Sequence, residues 1–498
     1  MNKIRLIALI IIVVIIGYGS YYFYSSAVSI SGISLSSPDN SAIKEDIQVR
    51  LNKPAKLYIE YWKEGSSQHI KTPISSDRKE HTIHLLLLEA ASTYHYQVIL
   101  DRAFEVKSKV MTFQTRKQSP WMVHDWIKGH NPHDEKALGN GLVMLCYRGY
   151  PGYIAMVDGK GAIRWYWQDD KLGVRVASLT PRGTVLALLA PASKDEFNKP
   201  QTNSKVKRNA GYYLRSGKTG FVGGTELVEI DLTGKVLWRI NLEKKGIIMH
   251  HDLRMNKAHH IVGVVRDFKL WDLRGKGTAQ DTLWGDAIME MDTTGKVLKK
   301  WSAWDVWDIS KDTRMDSLKH DRFHFNTISF DTDSNYLISS PIENQIWKVN
   351  PKSGRVVWKL GKGGDFKMDE NSYFYFQHAP HVNQDGDLML FDNGDFSPKD
   401  TSTVHKRSRA LSFRLDTVNM VATAKINAPI PKKQYTARMG SAYLLPNKRI
   451  LQTSSKTGGV LLTDTEGKVL WELNAYFIPY RAEYVPKGLW SKYIRTNE

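Results

Sequence analysis

The chain has 498 residues, room for about three domains or for one large repeat fold beside a small one. At 42% hydrophobic, 24% charged and 11% aromatic it is a folding chain, not a disordered one. Lys and Arg number 70 against 51 Asp and Glu, a formal net charge of +19, and the single cysteine, Cys146, excludes an intramolecular disulfide and any Cys-rich zinc or iron–sulfur site.

Lys3 and Arg5 precede an apolar run from Leu6 to Ile16, and no charge follows until Asp39. As a helix, Leu6 to Tyr24 would reach about 28 Å, enough for a bilayer core. Its Tyr-rich end suits the membrane interface. Residues 1–27 are therefore predicted to be a signal anchor, a single transmembrane helix in the inner membrane with the body in the periplasm or outside the cell. A signal cleaved after Ser25-Ser26-Ala27 is the rival. An exported body without disulfides must stand on packing alone. The basic residues are spread along the chain, and the densest stretch, 194–218, has neither interleaved aromatics nor a helix-turn-helix pattern. Nucleic acid is therefore not an expected partner. A basic surface suits anionic lipid or small anions better.

Residues 28–118 read as a small β-sandwich, with strands expected at 47–51, 57–62, 81–87, 94–100 and 111–115. Leu88, Thr93-Tyr94-His95-Tyr96 and Thr112-Phe113-Gln114-Thr115 resemble the end of a fibronectin type III domain. Such a domain positions or extends more often than it does chemistry.

From 119 to 498 the chain repeats. The unit is a strand, a turn carrying Asp or Asn with Gly, and a second strand, usually with Trp. Its copies begin at Asp158, Asp231, Asp292, Asn350, Asp416 (degenerate) and Asp464, at intervals of 48 to 73 residues. Two further strands precede each copy. Four strands per unit, six times over, predicts an all-β, six-bladed β-propeller. The first unit lacks its innermost strand, and Arg481–Pro486 is a lone copy of it. The C-terminus is thus expected to complete the first blade, close the ring and remove its free edges. An open β-solenoid is the alternative.

Histidines cluster at the first strands of successive units: His250-His251-Asp252, His324-Phe325-Asn326 and Gln377-His378-Ala379-Pro380-His381. Counting back eight residues from the turn position equivalent to Gly386 gives His378, and the same count gives His250 and Asn326. His324 lies two residues before Asn326 and shares its face. First strands line a propeller's channel, so these side chains are expected to converge near one mouth. Alternation sets His251 opposite His250 unless a bulge intervenes. Imidazole can act as nucleophile, base or acid at neutral pH. Histidines on three strands also suit zinc or copper, but no firmly placed acidic partner is visible, since Asp252 should point away from His251. A quinone cofactor would want more blades and a vicinal Cys pair. No metal or other cofactor is expected. Ser216-Gly217-Lys218-Thr219 fails as a phosphate loop because Gly211 is one residue too far upstream. Asp392-Asn393-Gly394-Asp395 lacks a full set of calcium ligands.

Met249-His250-His251-Asp252, Arg322-Phe323-His324-Phe325-Asn326-Thr327-Ile328, Phe376-Gln377-His378-Ala379, Leu390-Phe391-Asp392-Asn393-Gly394-Asp395, Ser408-Arg409-Ala410 and Met439-Gly440-Ser441-Ala442 with Leu445-Pro446-Asn447 together resemble the bacterial arylsulfate sulfotransferases that do not use the nucleotide donor. The resemblance spans roughly 140–475. It implies a six-bladed propeller with an N-terminal β-sandwich, an exported enzyme, and transfer of a sulfuryl group between phenols through a sulfohistidine. The implied nucleophile falls on His378, the supporting histidines on His324, His250 and His251, and the active-site asparagine on Asn326. The implied partners are an anionic aryl sulfate donor, a phenolic acceptor and, through the helix, the membrane. One departure concerns an arginine that the family commonly has just after a Ser-Ser pair. Here Ser339-Ser340 is followed by Pro341-Ile342-Glu343, with Arg438 or Arg409 as substitutes. Phe325, Tyr373 and Phe376 are candidates to stack on a phenol ring. The rival readings are a non-catalytic binding or scaffold protein and a sulfate or phosphate ester hydrolase.

Overall fold

The computed structural model describes residues 12, 27–38, 41–102, 106–119, 122, 126–127, 138–139, 141–149, 151–191, 223–395, 397, 406–475 and 477–495. It divides into two compact units, Met1–Gln118 with Trp490–Glu498, and Ser119–Leu489.

The first unit holds two antiparallel sheets. One joins Ile30–Ser36, Glu45–Ala55 and Arg78–Leu85, and the other is built on Leu57–Lys63 and Thr93–Leu100. Period-two alternation buries Ile47, Val49 and Leu51 from one sheet and Leu57, Ile59 and Tyr61 from the other, while their neighbours along each strand stay more exposed.

Among the described residues, the second unit holds six separate sheets of four or five strands, antiparallel except where Lys367–Met368 pairs in parallel with Val421–Pro429. Strands β1 (Gly173–Leu179), β2 (Met249–Met255), β3 (Thr327–Phe330), β4 (His378–Val382) and β5 (Ser441–Leu444) begin five of them. Strand β6 (Ala482–Val485) is an edge of the sixth, paired with Leu142–Tyr147 more than 300 residues earlier. Each of these strands packs beside the next in chain order, and β6 packs beside β1. They therefore surround a common centre. The second strands are apolar and buried on both faces, as in Val185–Ala190. The outermost strands alternate, as in Ile163–Asp169.

The repeated turn explains the repeated sequence. The Asp158 carboxylate accepts the N–H groups of Lys160 and Ala162, both at 2.9 Å, and Asp231, Asp292 and Asp464 do the same in their turns. The glycine that follows takes φ between 71° and 93° at 161, 234, 295, 354 and 467, which a side chain would resist. The repeated tryptophan joins neighbouring sheets. Trp165 Nε1 donates to the Leu232 carbonyl at 2.9 Å, Trp301 to Gly354 at 2.8 Å, and Trp471 to Gly159 at 2.8 Å. The last of these ties the C-terminal sheet to the first.

The expected all-β, six-bladed propeller with an N-terminal transmembrane helix needs correction. The fold is mostly β, with short helical turns at Met315–Leu318 and elsewhere. Among the described residues no sheet closes on itself; each keeps an inner and an outer edge, because hydrogen bonding runs within sheets and side chains join them. The C-terminal strand completes a sheet and does not abolish edges. No helix among the described residues is long and apolar enough to cross a membrane. The longest, Lys487–Lys492, has 6 residues, where a span needs about 20. The single-pass inner-membrane placement, the periplasmic body, the signal anchor and the membrane as a partner are withdrawn with it; apart from Ile12, the segment on which they rested, 6–24, lies outside the described residues.

Candidate active site

The starts of the inner strands are locally left-handed. Among residues other than glycine, His251 (φ 58°), His324 (52°), Phe376 (56°), Ala379 (54°) and Met439 (61°) all take positive φ. Such conformations cost about 1–3 kcal/mol each and persist where surrounding structure enforces them. In β2 the register slips between His250 and Leu253, and in β4 between His378 and His381. The slip in β2 undoes simple alternation. His250 and His251 do not point apart; their Nδ1 atoms lie 2.5 Å from each other. Ahead of β3, Phe323 and Phe325 are buried in an aromatic core with Trp347 and Trp301. Anchored on both sides, the intervening His324 faces the centre, one quarter of its side chain exposed.

Five rings close a circuit there. His251 and His324 have centroids 4.8 Å apart, His324 and Phe376 6.1 Å, Phe376 and His378 6.3 Å, His378 and Tyr480 6.4 Å, and Tyr480 and His251 6.2 Å. They come from the starts of β2, β3, β4 and β6. Of the residues singled out from sequence, His250, His251, His324 and His378 thus converge, and Phe376 is the ring between two of them. Asn326 lies behind. Its Nδ2 donates to the Gln377 carbonyl at 2.9 Å and its own carbonyl accepts the Tyr480 hydroxyl at 3.1 Å, so it braces the segment that carries His378. Phe325 belongs to the core, and the Tyr373 carbonyl accepts from Arg409.

A layer of Asp286 and Asp321 carboxylates supports the histidines. His250 Nε2 is 3.1 Å from Asp286 Oδ1, and His324 Nδ1 is 2.5 Å from Asp321 Oδ2. Arg266 Nη1 bridges both carboxylates, at 3.0 Å and 2.7 Å. If Nε2–H of His250 donates to Asp286, its Nδ1 must accept from His251. That leaves a lone pair on His251 Nε2. Arg266 and Asp286 sit on the second and third strands of the β2 sheet, respectively. No periodic signal marks them. Asp321, three residues before His324, was the one legible hint.

His378 is held from both sides. Its Nδ1 faces Asn393 Oδ1 at 2.7 Å and the Phe376 carbonyl at 3.1 Å, and its Nε2 accepts the Met439 N–H at 3.2 Å. Burial pushes its pKa down to about 3, helped by His324 and Arg481. Burial lowers His250 too, with Arg266 adding, and lowers His251 strongly, with His324 and His250 adding. Burial raises Asp321, but His324 and Arg266 outweigh it and hold this carboxyl well below the usual range.

Neither proposed substitute arginine is equivalent to the other. Arg409 is spent on Asp392 (2.8 Å) and on the Asn371 and Tyr373 carbonyls. Arg438 is exposed, with its guanidinium 5.9 Å over the Phe376 ring, at the edge of the circuit. Glu343, near the family's arginine position, pairs with Arg314 (2.6 Å) and Arg322 (2.5 Å). Among the described residues, no group of three or more His, Cys, Asp or Glu is placed to hold a metal ion.

These buried histidines make stability depend on pH. His381, whose Nδ1 faces the Ala379 carbonyl at 3.0 Å, is pushed by burial to about 4, and His378 to about 3, from 6.5. The unfolded chain takes up protons at these sites below about pH 6.5, and the folded chain does not until far lower pH. Their contribution is therefore intact above about pH 6.5 and is lost as pH falls toward about 4. The urea midpoint is expected to drop between about pH 7.5 and about pH 5, and to drop less in His381→Asn. An unchanged midpoint over this range would contradict the assignment.

Residues 129–459 match the family model described as arylsulfotransferase. No curated protein matches the sequence. Among solved structures, a protein of unknown function from Bacteroides caccae is 13% identical, covering 70% of this chain and 100% of that one at a TM-score of 0.40. A catalytically inactive virginiamycin B lyase from Staphylococcus aureus with quinupristin is 8% identical, covering 91% and 100% at 0.30. Hydrazine synthase of Kuenenia stuttgartiensis is 10% identical, covering 67% and 80% at 0.33.

Proposed function

Because the chain belongs to the arylsulfotransferase family, we propose that it moves a sulfuryl group from an aryl sulfate to a phenolic acceptor through a sulfohistidine on His378. The observation that carries this reading is the closed circuit of rings in which a buried His378 meets Phe376 and Tyr480, and these in turn meet His324 and His251.

In the first half-reaction the lone pair of His378 Nε2 forms a bond to sulfur as the bond from sulfur to the aryl oxygen breaks. The departing phenolate takes a proton from His324, whose Nδ1 lies 2.5 Å from Asp321 Oδ2. In the second half the acceptor phenol gives its proton back to His324. Its oxygen bonds to sulfur, and the bond from sulfur to Nε2 breaks. His250, tied to Asp286 and His251, keeps the His251 ring in place. The Met439 N–H, 3.2 Å from Nε2, is available to a sulfuryl oxygen once Nε2 has reacted. Phe376 and Tyr480 offer faces to a phenol ring.

Incubating the protein with 4-nitrophenyl sulfate and no acceptor is expected to release one equivalent of 4-nitrophenol and leave an acid-labile sulfuryl adduct on the His378 peptide, found by mass spectrometry. Added phenol then turns the burst into sustained release. Release with sulfate as product, independent of phenol, would assign a hydrolase; no burst and no adduct in a folded protein would overturn the reading.

Arg438 supplies the exposed positive charge at the rim. Arg438→Ala is expected to raise KM for the sulfate donor about threefold and to change kcat little, since an exposed charge contributes under about 1 kcal/mol. Initial rates at two salt concentrations check this, because the difference between wild type and variant should shrink as salt rises.

A further inference from the structure

We infer that Asn393 is a positioning residue that selects which nitrogen of His378 reacts, by holding the Nδ1–H tautomer with an uncharged partner. The inference rests on the reading of His378 as nucleophile.

Asn393 is fully buried, and its orientation is determined by its neighbours. Its Nδ2 donates to the carbonyls of Thr436 and Met439, both at 2.8 Å. Carbonyls only accept, so the amide nitrogen must face them and Oδ1 must face His378. His378 Nδ1 then meets two acceptors, Asn393 Oδ1 and the Phe376 carbonyl, and must carry the hydrogen. The lone pair is left on Nε2, on the side of the Met439 N–H.

The loop that carries Asn393 is itself constrained. Asp392 accepts the N–H groups of Tyr375 and Gly394, both at 2.9 Å, and pairs with Arg409 at 2.8 Å. Gly394 takes φ 69°, and a Cβ there would lie 2.1 Å from the Arg407 carbonyl. The Asp-Asn-Gly sequence thus turns its carboxylate away from His378 and its amide toward it.

The site's other histidines with side-chain acceptors have carboxylates behind them, Asp286 for His250 and Asp321 for His324. A carboxylate favours imidazolium and suits acid–base work. A nucleophile must keep its lone pair, and an uncharged amide orients the ring through a hydrogen bond that raises its basicity without adding the attraction of a negative charge. The groups facing His378 from the surrounding elements are His324, His251, Tyr480 and Arg481, with Arg438 beyond Phe376. None is a carboxylate.

Two measurements test the inference. In wild-type protein labelled with 15N-histidine, the His378 signal, identified by its loss in His378→Gln, is expected to show the Nδ1–H tautomer near neutral pH. This needs no turnover, so it stands apart from the sulfohistidine burst. A proton on Nε2 would overturn the inference. In Asn393→Asp, the acid limb of kcat/KM and the His378 titration are expected to rise together by about one to three pH units. Activity lost at neutral pH should return in part at higher pH, which a merely structural defect would not produce. An unchanged limb and titration in a folded variant would overturn it. If Asn393→Asp does not fold, the wild-type spectrum alone decides.

Discussion

His378→Ala is expected to lower phenol-dependent release of 4-nitrophenol by about 10,000-fold, the scale seen when a covalent nucleophile is removed. The side chain touches Asn393, the Phe376 carbonyl and the Met439 amide, and its ring faces Phe376 and Tyr480. Alanine removes the only imidazole in that position and orphans Asn393 Oδ1, at a stability cost of about 1–3 kcal/mol. The variant is therefore expected to fold with a lower melting temperature and to form no covalent adduct. His381→Ala serves as control. That ring lies three residues further along and packs against Tyr443 at 4.9 Å, away from the five-ring circuit. It should keep most of the turnover. A His378→Ala protein with substantial phenol-dependent release would show that another group takes the sulfuryl moiety.

Arg322→Met is expected to destabilise the protein by about 3–5 kcal/mol, the cost of leaving buried charges unpaired. The Arg322 side chain is fully buried, donates to Asp312 and, at 2.5 Å, to Glu343, and stacks over Trp307 with its guanidinium 4.4 Å from the ring centre. Methionine fills part of the volume but leaves the buried Asp312 without its cation and Glu343 with Arg314 alone. Urea unfolding followed by tryptophan fluorescence should report this directly, because Trp307 and Trp347 flank the site of change. Adding Asp312→Asn and Glu343→Gln should recover part of the loss. Turnover should fall as well, since Phe323 and Phe325 next to Arg322 hold His324 in its left-handed position. A midpoint shift under about 1 kcal/mol would show that these carboxylates gain water or protons at little cost.

The same pair of residues explains how the chain departs from its family's pattern. Glu343, close to where the resemblance leads one to expect an arginine, is not aimed into the site; it neutralises Arg322 and Arg314. Arg438, just ahead of β5 and two sheets further on, has its guanidinium 5.9 Å over the Phe376 ring ahead of β4, and β4 and β5 pack side by side.

Features built within a few residues were legible in the sequence by itself. The Asp-and-Gly turns follow from one carboxylate reaching two nearby N–H groups and one residue taking positive φ. The buried and exposed faces of Leu57–Lys63 or Ile163–Asp169 follow from the two-residue period of a strand. The clustering of histidines at the starts of successive units was visible for the same reason. Tertiary structure decided the rest. The bulges at His251 and Ala379 override the period and turn His250 and His251 toward each other. Asp286, Arg266 and Asn393 reach the histidines through strand pairing within a sheet, and Tyr480 through packing between sheets. Whether a buried histidine is an acid, a base or a nucleophile depends on which acceptor stands behind its ring. For His250 and His378 that acceptor comes from another strand of the same sheet or from the loop that ends it, and spacing along the chain does not fix which side chain faces the ring.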